Sequence, residues 1–174
     1  MTKTKTTLLF LLAVVVQLAI LALVPGKQIY ARATGRLITL KIAPVDPYNL
    51  LSGHYMTLGY EIARLPLDFK LPDEKEIPVY VVLKEDPNKF WVVDSVNKQR
   101  PADVGPDKIV IKGKSVYGRI SYGIETFFVP EDKRYKIADD FRANRGNTRA
   151  QVKVDRFGNA ALIRLLIGDN TYEY

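Results

Sequence analysis

"PVDPYNLLSGHYMTLGYEI", residues 44–62, opens with turn-forming residues and closes with an alternating strand pattern. Residues 44–53 hold two prolines, Asp46, Asn49, Ser52 and Gly53, the composition of a loop. Residues 55–62 then alternate. On a pleated strand Met56, Leu58, Tyr60 and Ile62 share one face, and Tyr55, Thr57, Gly59 and Glu61 share the other. The first set is the expected core face. The stretch also carries the sole histidine of the chain, His54.

The same period-2 signature recurs on both sides. Residues 38–42 alternate apolar and polar, as a half-buried strand does. Residues 65–78 contain three prolines and a charged middle, and are read as a loop. Residues 79–83 and 90–93, joined by Asp86-Pro-Asn-Lys turn chemistry, predict a hairpin. Residues 108–112 predict a short strand closed by Gly113, and residues 119–129 one long strand stopped by Pro130. Residues 130–143 open with Pro130-Glu131-Asp132, favoured in a first helical turn, and space Tyr135, Ala138 and Phe141 by three along one stripe. Residues 151–155 and 160–167 predict a last hairpin around Arg156-Phe-Gly-Asn159. About eight strands are expected, with no internal repeat.

Before the β region, residues 8–24 read LLFLLAVVVQLAILALV, interrupted only by Gln17. With Thr6 and Thr7 the run approaches the ~20 residues that cross a bilayer as a helix, and Pro25-Gly26 is read as its end. A cleaved signal peptide and a buried core helix are the alternatives; Ala31-Arg32-Ala33 has the letters of a cleavage site but lies far beyond the run. The expected architecture is therefore mainly β: one N-terminal transmembrane helix followed by an antiparallel β-rich domain, barrel- or sandwich-like, with one short helix. Residues 1–26 form tail and anchor, 27–37 a juxtamembrane linker, and 38–174 the soluble domain. The short tail bearing Lys3 and Lys5 favours an extracytoplasmic domain, although the basic residues on the other side weigh against it.

Charge and composition narrow the functions. The net charge is +7, of which the two lysines of residues 1–24 supply two. The basic residues are scattered among 19 acids, without the dense basic face of nucleic-acid binders. Lys27, Arg32, Arg36 and Lys41 follow the apolar run closely and can attract anionic lipid headgroups. The absence of cysteine excludes disulfides, thiolate catalysis and Cys-ligated zinc. One histidine does not make the common histidine-based metal sites, and no acidic run has EF-hand spacing. No cofactor is expected. Ser52, Ser115 and Ser121 have no lysine three residues on, so they lack the Ser-x-x-Lys pattern. His54 is read as a loop residue bonded to nearby backbone, with a sensing role or catalysis as alternatives. Glu125, inside an apolar stretch, needs a partner if covered: an arginine, or the loop that precedes Tyr55.

Two blocks of residues are similar to a known family. Pro44-Val-Asp46-Pro47 and Gly53-His54-Tyr55-x-x-Leu58-x-Tyr60 resemble the signature of the GDYXXLXY proteins, and Tyr122-Gly123-Ile-Glu125-Thr126-Phe-Phe128-Val-Pro130-Glu131 resembles that family's second block. The family comprises bacterial membrane-anchored proteins with no established reaction. Its relatives occur beside, or fused to, multi-spanning membrane proteins, so the resemblance implies an integral-membrane partner. The signature aspartate is His54 here, a change of charge at that position. Asp46, Gly53, His54, Tyr55, Leu58, Tyr60, Tyr122 and Glu125 are the candidate motif residues. The expected function is a membrane-anchored, non-enzymatic accessory domain for an integral-membrane partner or the cell envelope. The alternatives are a membrane-bound hydrolase of envelope polymers or peptides, and a ligand-binding domain presenting some of the ten tyrosines.

Overall fold

The computed structural model describes residues 3–43, 51–52, 55–64, 76–116, 118–144 and 146–173. Among them run two α-helices, α1 (Lys3–Thr34) and α2 (Arg134–Ala143), and eleven strands. The strands are β1 (Arg36–Lys41), β2 (Leu51–Ser52), β3 (Tyr55–Thr57), β4 (Ile77–Glu85), β5 (Trp91–Asn97), β6 (Lys108–Val116), β7 (Arg119–Ser121), β8 (Thr126–Phe128), β9 (Thr148–Val154), β10 (Ala160–Ile167) and β11 (Asn170–Glu173). All pairings are antiparallel, in three sheets of order β1-β9-β10-β11, β2-β3-β8 and β5-β4-β6-β7. The chain is mainly β, as expected.

One core joins the three sheets. Ile38 and Leu40 of β1, Met56 of β3, Val79, Val81 and Leu83 of β4, Phe127 of β8 and Leu165 of β10 are all within it. Two hairpins close by the same device, an aspartate at the end of the incoming strand. The Asp86 carboxylate accepts from the amides of Asn88 and Phe90 at 2.9 and 2.7 Å. Asp155, itself buried, accepts from the amides of Phe157 and Asn159 and from the Asn159 side chain. Short polar side chains that bind backbone two to four residues ahead are what turns select.

Several expectations need correction. Pro25-Gly26 does not end α1, which continues to Thr34, so residues 27–34 are helical and β1 begins at Arg36. The helix is bent instead: Thr7–Leu21 and Gly26–Thr34 lie at 51° to one another. A proline lacks the amide that would bond one turn back, and its ring crowds that carbonyl, which kinks rather than stops a helix whose next turns are held by packing. Ala31 on that second segment is fully buried. No single helix among the described residues is long and apolar enough to cross a membrane; the bent pair passes only when its two parts are taken together, by length and composition.

The strand expected over 55–62 ends at Thr57 and gives way to a single 3-10 turn, Glu61–Ala63. Its core face is nonetheless as expected, with Met56, Leu58, Tyr60 and Ile62 all buried. The strand expected over 119–129 is two strands in different sheets, β7 beside β6 and β8 beside β3. In α2 the buried stripe is Ile137, Ala138 and Phe141, and Tyr135 is 74% exposed. The spacing by three put Tyr135 in the stripe, but the i, i+4 pair Ile137–Phe141 defines the face that reaches the core.

Candidate functional site

The two motif blocks meet in space, about 65 residues apart in the chain. β3 and β8 pair in the register Tyr55 with Phe128, Met56 with Phe127 and Thr57 with Thr126. Beyond the last rung the contact continues one bond at a time. The Leu58 amide donates to the Glu125 carbonyl at 2.7 Å, and the Tyr60 hydroxyl to the Ile124 carbonyl at 2.8 Å. In return, the Tyr122 hydroxyl donates to the Ile62 carbonyl at 2.6 Å. Tyr60 also bridges Ile42, and the Ala43 amide donates to the Gly59 carbonyl, so the signature strand is tied to the end of β1 as well.

The split between β7 and β8 explains Glu125. Gly123 takes φ +77°, a left-handed conformation that glycine adopts without steric cost. The turn it makes leaves two amides pointing inward, those of Tyr122 and Gly123, and the Glu125 carboxylate accepts from both. Among the described residues the donors to this carboxylate are the amides of its own turn; of the expected partners, the loop before Tyr55 falls largely outside the described residues. Asp46, Gly53 and His54 lie outside the described residues. A cleft of about 270 Å³ opens beside this junction, lined by Thr57, Leu58, Tyr60, Arg119, Ser121 and Glu125.

Electrostatics at the junction follow from burial. Both phenols are held well above their ordinary acidity range, first because burial disfavours the phenolate, second because the Glu125 charge does. They are therefore neutral donors, each committed to a backbone carbonyl. Leu58 and Tyr60 fill the core, while Tyr55 and its partner Phe128 face outward at 40% and 61% exposure. The chemistry available is staple chemistry: hydroxyl and carboxylate groups satisfying backbone groups where two sheets part. Among the described residues no three His, Cys, Asp or Glu side chains converge as a metal site.

A substitution pair measures the turn. Glu125→Gln keeps one acceptor oxygen and is expected to cost about 1 kcal/mol; Glu125→Leu leaves two amides without an acceptor and is expected to cost about 2–3 kcal/mol. Urea denaturation of the full chain in mild detergent reads both, and equal losses for the two variants would contradict the capping role.

The Ser-x-x-Lys spacing does occur once, at Ser95–Lys98. β5 ends at Asn97, so Lys98 lies beyond it; Ser95 sits on the exposed side of the strand, where its hydroxyl accepts from the Asn97 side chain. It forms no dyad.

The four cations after the apolar run are used differently from one another. Arg32 donates to the Leu162 carbonyl at 3.0 Å, and its own carbonyl accepts from Lys153. Arg36 donates to the Pro106 carbonyl and stacks over Trp91, and Lys41 lies over Phe90. Lys27 borders a cleft of about 530 Å³, together with Lys112 and Lys114 of β6. The Lys-Gly-Lys alternation of residues 112–114 places both lysines on one face of the strand.

Comparison with known proteins fits the two-block junction. No curated protein and no solved structure matches the chain. A family model described as GDYXXLXY protein matches residues 17–165, a span that takes in the bend of α1, the signature and most of β10. Of the signature positions kept in this sequence, Tyr55, Leu58 and Tyr60 pair with or bond to the second block. By that match, the chain belongs to the GDYXXLXY protein family.

Proposed function

We propose that this protein is a membrane-anchored accessory domain: α1 inserts in a bilayer, and the β domain serves an integral-membrane partner or the cell envelope from the extracytoplasmic side. The observation that carries the reading is the surface of α1. Ten large apolar side chains between Leu8 and Leu21 are 50% to 68% exposed, on all sides of the helix. Covering them is worth on the order of 10 kcal/mol or more, and a helix apolar all round is a buried or membrane helix. The Thr7–Leu21 segment spans about 22 Å at 1.5 Å per residue, and the Gly26–Thr34 segment, bent at 51°, leads from it onto the β domain.

Gln17 supports the partner. It is exposed in the middle of this apolar surface, and in hydrocarbon its amide needs hydrogen bonds that a neighbouring helix can give. The hydrolase reading finds no comparable support, because the polar groups of the signature junction already bind one another.

Alkaline carbonate washing of membranes, followed by detergent extraction and cross-linked co-purification, tests both halves. The full-length chain is expected in the pellet, and Gln17→Leu is expected to stay there while losing the cross-linked partner. Recovery of the chain, whole or shortened to begin near Thr34, in the carbonate supernatant would overturn the anchor. An unchanged cross-link in Gln17→Leu would overturn that residue's role.

A further inference from the structure

The 530 Å³ cleft beside the bend of α1 is a site of its own. It is bordered by Lys27 and Gln28 on the helix, by Lys112 and Lys114 on one face of β6, and by Ser121 of β7. The one acid on its rim among the described residues, Glu76, pairs with Lys114 at 2.9 Å. Lys27 and Lys112 have no ion pair among the described residues. Among the described residues, three ammonium groups and one carboxylate give the rim a surplus of two positive charges, in a concave place where an anion is partly shielded from water. The hydroxyl of Ser121 and the amide of Gln28 add groups that hydrogen-bond a polyol or phosphate oxygen.

Position says which anion. Lys27 lies three residues beyond the apolar run that ends at Val24, less than one helical turn. The cleft thus opens where α1 leaves the domain. On the membrane-anchored reading, upon which this inference rests, that is the headgroup level of the bilayer. Of the cations nearest the apolar run, Arg32, Arg36 and Lys41 are engaged with the domain itself, and Lys27 is the one turned to this opening.

We propose that the Lys27–Lys112–Lys114 cleft binds the phosphodiester headgroup of an anionic phospholipid. Each lysine near such a headgroup is worth a factor of about five in affinity.

The test uses the full chain in nonionic detergent, so that it does not depend on membrane insertion. It is titrated by calorimetry with short-chain phosphatidylglycerol, short-chain phosphatidylcholine and inorganic phosphate. Saturable binding of phosphatidylglycerol is expected, weakened about fivefold in Lys27→Gln and in Lys112→Gln and unchanged in Lys136→Gln, a charge-matched variant on the exposed side of α2. Melting curves establish that each variant is folded. Equal binding of phosphatidylcholine would overturn recognition of the anionic headgroup. Inorganic phosphate binding as tightly as the lipid would make free phosphate the ligand and overturn the lipid. A loss in Lys136→Gln as large as in Lys112→Gln would reduce the effect to diffuse charge. Failure of the anchor, by contrast, shows only in the carbonate wash.

Discussion

Gly35→Ala is expected to destabilise the protein by about 3 kcal/mol or more, because the added carbon has nowhere to go. Gly35 is the single residue between the end of α1 and the start of β1. A Cβ there would stand 2.5 Å from the Ala31 carbonyl oxygen and 2.9 Å from the Val154 amide, both backbone, and 3.0 Å from the Lys153 side chain. Backbone cannot step aside as the tip of a side chain can. The substitution must push the last turn of α1 away from β9, and with it break the Gly35 to Ala31 bond of 2.9 Å and strain those of Arg32 to Leu162 and of Lys153 to Arg32. Urea denaturation of the full chain in detergent, with limited proteolysis after Thr34, reads the effect. A midpoint within about 1 kcal/mol of the parent would mean that the joint is looser than its packing states.

The second large effect is alkaline. Tyr60 and Tyr122 keep their protons in the folded state far above the ordinary phenol range, because they are buried beside the Glu125 charge. In the unfolded chain they lose them near pH 10. The folded state therefore binds more protons above pH 10, and stability falls as pH rises. Their contribution is whole below about pH 10 and drains away up to the folded-state values. The slope is about 1.4 kcal/mol per pH unit for each tyrosine, so by pH 12 the pair costs on the order of 5 kcal/mol. Tyr172, pushed up to about 12 first by desolvation and then by its bond to Asp140, adds a smaller, solvent-screened part. Tyr60→Phe is expected to cost about 1–2 kcal/mol at neutral pH, since the Ile124 carbonyl loses its donor, yet to lose stability only half as steeply above pH 10. Denaturant midpoints from pH 8 to 12 decide this. An alkaline slope in Tyr60→Phe equal to the parent's would show that Tyr60 is not the titrating group. The same loss makes the carbonate wash a stringent test of the proposed anchor, which at that pH would have to hold the chain without help from a stable domain.

Alternation disclosed the signature's core face more faithfully than its secondary structure. Leu58 and Tyr60 point inward as a strand would aim them, although the ladder stops at Thr57, because each still makes one bond to a different neighbour. The long strand read through residues 119–129 failed for the opposite reason. Its apolar pattern is continuous, but a left-handed Gly123 and a carboxylate two residues on make a turn that no periodicity carries. β11 was missed altogether, since Asn170–Glu173 buries little and holds its place through pairing with β10 and the bonds of Asn170 and Tyr172 to Asp140. Of the site, the need of Glu125, a carboxylate among apolar residues, for donors was legible, but not that its own turn supplies two of them. The lysine cleft was not, because it is assembled from a helix, a strand and a turn that only the fold brings together.

The seating of α1 also has a consequence for the order in which the protein forms during synthesis. β1 pairs with β9, with Arg36 opposite Val154, and Arg32 finds an acceptor at Leu162. More than a hundred residues must be made before either exists. The apolar helix leaves the ribosome first and then waits, its last turns unsupported and β1 an open edge, until the final hairpin arrives. Closure of so long a loop is slow relative to local pairing, so the β5-β4-β6-β7 sheet, built from neighbours in sequence, can form beforehand. The chain is thus committed at its N-terminus before its C-terminal third has been translated, and the hairpin of β9 and β10 is the clasp that completes it.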